Sequence, residues 1–129
     1  TLTIGGEFTG TAGGLNKAGD GTLILGSTGI INSYTGATQI DGGILVFRNI
    51  ASKASGTATA SAAGTIGLGV KTADAACYSE IEVGDLFNTN TLAGFNLNAA
   101  SGVAIDTAAG AFDQTVALTA ARSLTKVGA

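Results

Sequence analysis

Between residues 13 and 47 the chain alternates short apolar stretches with closely spaced glycines, and this limits its fold more than any other feature. The stretch opens Gly-Gly-Leu-Asn-Lys-Ala-Gly-Asp-Gly-Thr-Leu-Ile-Leu. After a spacer it continues Tyr-Thr-Gly-Ala-Thr-Gln-Ile-Asp-Gly-Gly-Ile-Leu-Val-Phe. Leu15 and Lys17 fall on one short strand, and Ala18-Gly19-Asp20-Gly21 makes a tight turn. Leu23 and Leu25 then point one way, with Thr22 and Ile24 the other. A second pair of strands flanks Asp41-Gly42-Gly43 and ends at Phe47. Turns this tight need positive φ or close backbone approach, which a β-carbon penalises.

The pieces 15–25, Tyr34-Thr35-Gly36 and Ile40-Asp41-Gly42-Gly43, in that order, resemble the autotransporter-associated β-strand repeat. The resemblance is tight over about a quarter of the chain. It implies a parallel β-solenoid on the outside of a bacterial cell, in a family of structural and adhesive proteins. It implies no cofactor.

Composition fits a slender coil. In 129 residues there are 21 glycines, no proline and 5% aromatics, and much of the apolar content is alanine. A compact globule would recruit more large side chains, whereas a solenoid interior takes small and medium ones in stacked layers. There is no Gly-X-Y period for collagen, and Leu, Ile and Val recur too regularly for disorder. The expected fold is all-β, a parallel β-helix of one repeat unit over 1–129. A β-sandwich is the alternative that many short strands also allow.

Inward-facing positions are expected at Leu15, Leu23, Leu25, Ile40, Ile66, Leu68, Val103, Ile105, Val116 and Leu118. Gly67 and Gly69 alternate with Ile66, Leu68 and Val70, leaving one face bare. Those glycines admit another backbone or mark a bend in the coil. An insertion interrupts the pattern at 72–90. Within it, Ser79-Glu80-Ile81-Glu82 has capping-box spacing, which favours a short helix over 79–87 with Val83, Leu86 and Phe87 on its apolar face. Alternation of Cys77, Ser79, Ile81 and Val83 with polar neighbours offers a strand instead, and Gly84 weakens a helix.

The two ends carry half-motifs. Thr1-Leu2-Thr3-Ile4-Gly5 matches Thr22-Leu23-Ile24-Leu25-Gly26, and residues 124–129 match 15–20. Placing one end before the other nearly restores the intact motif, so copies are expected to associate end to end through Leu2, Ile4, Leu124 and Val127. No charged or bulky cap is visible in the first three residues or the last three.

The net charge of −3 is thinly spread, with no basic stripe for nucleic acid. No apolar run reaches the roughly 20 residues of a membrane-spanning helix. Residues 1–6 do not open a signal peptide, as expected of a mature or excised secreted segment. Localisation is expected to be extracellular or at the cell surface.

Chemistry is sparse. With no histidine, the usual general base and metal ligand are missing, and neither Cys77 nor any serine has a partner at recognisable spacing. Cys77, the lone cysteine, is expected to be a small buried residue rather than an intermolecular bridge. Asp74, Glu80, Glu82 and Asp85 are weak calcium candidates that lack calcium-loop spacing, and they read first as a solvated helix start. Arg48, Lys53, Asp106 and Asp113 are expected to face solvent. Catalysis is not expected.

The sequence thus points to a structural rod, spacing or displaying other domains and contacting a host or matrix surface, or to a self-assembling filament subunit. The alternative is a carbohydrate-binding or polysaccharide-degrading β-helix, for which two tyrosines and no tryptophan make poor platforms.

Overall fold

The computed structural model describes residues 1–27 and 30–128. Ten short strands form two sheets, β1 (Leu2–Ile4), β2 (Leu15–Lys17), β3 (Thr22–Leu25), β4 (Thr38–Ile40), β5 (Gly43–Phe47), β6 (Ala58–Ala60), β7 (Gly64–Gly69), β8 (Phe95–Leu97), β9 (Gly102–Asp106) and β10 (Leu124–Val127). Sheet A has the order β1-β3-β5-β7-β9-β10 and sheet B the order β2-β4-β6-β8. Every ladder is parallel. From β1 to β9 the chain therefore alternates between the sheets as it climbs, which is the parallel solenoid; the antiparallel sandwich is excluded. Among the described residues no helix is long and apolar enough to cross a membrane.

Register shows the repeat. Leu2, Leu23, Leu45, Ile66, Val103 and Leu124 form one row across sheet A, at intervals of 21, 22, 21, 37 and 21 residues. Leu15, Thr38, Ala58 and Phe95 form the matching row of sheet B, at intervals of 23, 20 and 37. Both sheets meet the long interval at the same coil, so one insertion accounts for both.

The core lies between the sheets. Leu25, Leu45, Phe47, Ile66, Leu68 and Val103 project into it from sheet A, and Ile40, Phe95 and Leu97 from sheet B. Leu15, Leu23 and Ile105 are half-buried against it. Ile24, Val46 and Ala104, on the opposite face of sheet A, are buried too. That is why residues 44–47 form an unbroken apolar run, as strands covered on both faces do.

Glycines lie where coils touch backbone to backbone. A β-carbon at Gly36 would meet Gly13 O at 2.5 Å, and one at Gly56 would meet Gly36 O at 2.1 Å. The bare face of β7 receives β5: a β-carbon on Gly67 would meet Val46 Cγ2 at 2.7 Å, and one on Gly69 would meet Arg48 O at 1.9 Å. The approaching backbone is the neighbouring coil of the same sheet.

The insertion forms a helix. Ser79 caps α1 (Glu80–Gly84), which continues as a π-helical turn over Asp85–Thr89. Both halves of the capping box are made, Glu82 N–H to Ser79 Oγ at 3.3 Å and Ser79 N–H to Glu82 Oε2 at 2.8 Å. Val83, Leu86 and Phe87 are buried in the common core, so the tertiary contact decides for helix over strand. Glycine suits position 84, since a β-carbon there would meet Val116 Cγ1 at 2.9 Å and that side chain would have to shift. Asn90, at φ 54°, ends the helix in the left-handed conformation that asparagine tolerates.

Two features depart from the sequence pattern. Val116 and Leu118 are half-buried, and burial alternates through 111–120, but this segment joins no ladder. Val116 lies 21 residues beyond Phe95, at the interval for a fifth strand of sheet B. The helix holds it away instead. Asn88 Oδ1 accepts from Thr119 N–H at 2.7 Å, Asn88 Nδ2 donates to Ala117 O at 2.8 Å, and Glu80 Oε2 accepts from Thr115 N–H at 2.8 Å. The other difference concerns the C-terminal half-motif. Its sequence match, residues 15–17, lies in sheet B, whereas β10 pairs with β9 in sheet A; Ala129 lies outside the described residues.

Candidate functional site

The four calcium candidates are engaged separately. Asp74 accepts from Ala76 N–H at 3.0 Å and pairs with Lys71 at 3.1 Å. Glu80 holds the 111–120 segment through the hydroxyl and N–H of Thr115. Glu82 completes the capping box, and Asp85 lies in the π-helical turn. Asp74, Glu80 and Glu82 share a pocket of about 630 Å³ with Lys71, Cys77 and Asp113, but among the described residues no three acids converge to hold a metal. Cys77 is free and buried, and burial, with Asp74 nearby, pushes its thiol above the ordinary range.

Hydrogen bonds from Ala76 N–H and the Lys71 ammonium hold the Asp74 carboxyl below its usual range, and those from Thr115 do the same for Glu80. A carboxyl with a lower pKa in the folded than in the unfolded chain stabilises the fold fully above the ordinary carboxylate range. That contribution is lost as pH falls through the lowered value. Glu80→Gln is accordingly expected to lower the melting temperature at neutral pH and to converge on the parent chain once the pH falls below the lowered Glu80 value. Melts across that range check it, and a gap that persists in acid would contradict the assignment.

Several charged residues expected in solvent are built into the fold. Asp106 is 1% exposed and takes Arg48 Nε at 3.0 Å. Lys53 donates to Ala54 O and Gly56 O at 3.0 and 2.9 Å, and its ammonium lies 5.1 Å from the Phe95 ring centre; burial lowers its pKa. Asp113 is exposed as expected. Lys17 is buried, and its ammonium donates to Ala18 O, Gly19 O and Gly42 O at 3.0, 2.6 and 2.9 Å, tying one turn to the next coil. The flanking Gly19-Asp20-Gly21 was the available signal for this role, since a turn with bare carbonyls invites a cation.

The residues assigned to self-association sit at the two ends of sheet A. Leu2 and Ile4 are on β1, the first strand, and Leu124 and Val127 are on β10, the last. Leu2 is 60% and Leu124 46% exposed, although both belong to the inward row. The reason is that sheet A has six strands and sheet B four, so each end strand of A faces no strand of B. Ile4 is half-buried against the core and Val127 is half-buried on β10.

The end of sheet B is closed. Leu97 on β8 donates its N–H to Asn90 Oδ1 at 2.8 Å, and its carbonyl accepts from Asn90 Nδ2 at 3.3 Å. A primary amide thus makes the two bonds that a further strand would make, protecting an edge that would otherwise recruit one. The cap comes from the insertion, not from a neighbouring coil. Neither Asn88 nor Asn90 carries a local signal of it.

Residues 15–47 match the family model described as passenger-associated-transport-repeat, a repeat of autotransporter passengers, which are secreted or surface proteins. Neither a curated protein nor a solved structure matches the chain.

Proposed function

We propose, from the passenger-associated-transport-repeat at 15–47, that this chain is a structural segment of an extracellular or surface-displayed rod. Its copies join end to end, as tandem units or as separate subunits, and the rod spaces or presents adhesive surface toward a host or matrix. The reading is carried by sheet A, whose inward row repeats every 21 or 22 residues apart from the one 37-residue coil that carries the insertion. No catalytic role is assigned, since Asp74, Glu80 and Glu82 each serve a hydrogen bond within the fold.

The chain is expected to elongate with concentration into rods of constant width, seen by sedimentation velocity and electron microscopy. Ile4→Lys, which places a charge at the β1 edge, should return it to monomers with an unchanged β spectrum. A parent chain that stays monomeric throughout, or fibres that persist in Ile4→Lys, would overturn end-to-end association.

A further inference from the structure

We infer that Asp20 is a site of spontaneous isoaspartate formation, and that the fold shields the chemically identical pair Asp41-Gly42 from the same reaction. The site lies outside the proposed rod function and does not depend on it.

The sequence holds two Asp-Gly pairs, at 20–21 and 41–42. In each, the peptide nitrogen that follows the aspartate has no side chain beside it to hinder attack on the carboxyl. At the first pair, Gly21 N bonds to Asp20 Cγ and one Cγ–O bond breaks. That oxygen leaves as water, with one proton from the amide and one from solvent. A second water then opens the imide ring. Breaking the bond between the Asp20 main-chain carbonyl and Gly21 N gives isoaspartate, and breaking the bond at Cγ restores aspartate. The sequence of steps consumes and releases one water and is otherwise mass-neutral.

The structure separates the two pairs. Asp20 and Gly21 are both exposed, in the turn between β2 and β3. Among the described residues no hydrogen bond or ion pair holds the Asp20 carboxylate, and the Gly21 N–H has no protein acceptor. A β-carbon on Gly21 would meet nothing within 4 Å, so the turn is open on that side. Asp41 is exposed as well, but its carboxylate is occupied. Its Oδ2 accepts from Asn16 Nδ2 at 3.0 Å and its Oδ1 from Gln39 Nε2 at 2.9 Å. Its N–H donates to Lys17 O at 2.8 Å, and the Gly42 carbonyl accepts from the Lys17 ammonium at 2.9 Å. Gly42 is buried, and a β-carbon there would meet Gly19 N at 3.4 Å. Intramolecular attack needs the reacting atoms free to reach a near-attack geometry, and only Asp20 has that freedom.

The lesion falls on a contact between coils. Isoaspartate inserts a methylene into the main chain between the Asp20 α-carbon and Gly21. Gly21 O accepts from Ile44 N–H at 3.1 Å, and a β-carbon on Gly43 would meet Gly19 O at 2.5 Å and Asp20 C at 2.8 Å. Ala18 O and Gly19 O of the same turn receive the Lys17 ammonium. A lengthened turn therefore cannot keep its seat against the next coil.

The test holds the full, folded chain for weeks at neutral pH and physiological temperature in heavy-oxygen water. Each ring opening leaves one heavy oxygen on the residue, whether it returns as aspartate or as isoaspartate. Electron-transfer fragmentation of the peptide 18–48 then locates the label and the isoaspartate signature. The expected result is label at Asp20 with little at Asp41, and label at both when the chain is held in urea. Gly21→Ala, whose methyl crowds the nitrogen, should lose most of the label at Asp20. Native label at Asp41 equal to that at Asp20 would overturn the shielding. A native chain without label at Asp20, or a Gly21→Ala chain labelled as fast as the parent, would overturn the site. The separated isoaspartate form should melt below the unmodified chain, and equal melts would overturn the seat of this turn against the next coil.

Discussion

Phe47→Ala is expected to lower the unfolding free energy by about 3–5 kcal/mol, among the largest losses of any single side chain here. Phe47 is fully buried in the middle of sheet A, between Leu25 and Leu68 in its row. It also reaches sheet B, where its ring meets Phe95 edge-on at 5.7 Å, and Phe95 in turn meets Tyr78 at 6.0 Å. Truncation therefore opens a cavity where the two sheets are joined and removes one edge-to-face pair. In a narrow interior few neighbours can collapse into that space. Urea titration should show the midpoint falling sharply for Phe47→Ala, while Ile50→Ala, at a residue 41% exposed, moves it little. Equal shifts for the two would mean that the sheets do not share a core.

Gly69→Ala is expected to cost about 3 kcal/mol or more, although it adds one methyl. The added carbon would lie 1.9 Å from Arg48 O and 2.3 Å from Arg48 C. These are backbone atoms of the residue that follows β5, so no side-chain rotation relieves the contact. The strands must part at a rung where Gly69 also pairs with Asp106 and its carbonyl accepts from Tyr78 N–H at 2.9 Å. Gly21→Ala, with nothing within 4 Å of the new carbon, is the control and should stay near the parent. Thermal melts of the two variants decide the matter. A Gly69→Ala melt equal to that of Gly21→Ala would place β5 and β7 farther apart than described.

What could be read beforehand was local or periodic. Alternation located most strands, the glycines located the turns, and the Ser79/Glu82 spacing located the helix, because each is fixed by residues a few positions apart. Contacts set by the third dimension were not legible. Asp106 looks like a turn carboxylate until β9 is placed two strands from β5, where Arg48 meets it. Val116 and Leu118 have the alternation of a strand, and the interval supports it. Only the helix wedged beside β8 keeps them out of the sheet. The 21-residue interval from Leu2 to Leu23, and again from Val103 to Leu124, was available to be counted, and it places β10 in sheet A where motif matching suggested sheet B.

The way this chain uses its cations also bears on its resistance to proteolysis. Lys17 and Lys53 donate to backbone carbonyls, Arg48 and Lys71 pair with carboxylates, and Arg122 donates to Ser101 O at 3.2 Å. A secreted endoprotease that cuts after lysine or arginine must first draw that residue and its neighbours out of the fold. For Lys17 this means breaking three bonds that clamp two coils together, so cleavage there waits on the opening of the coils themselves.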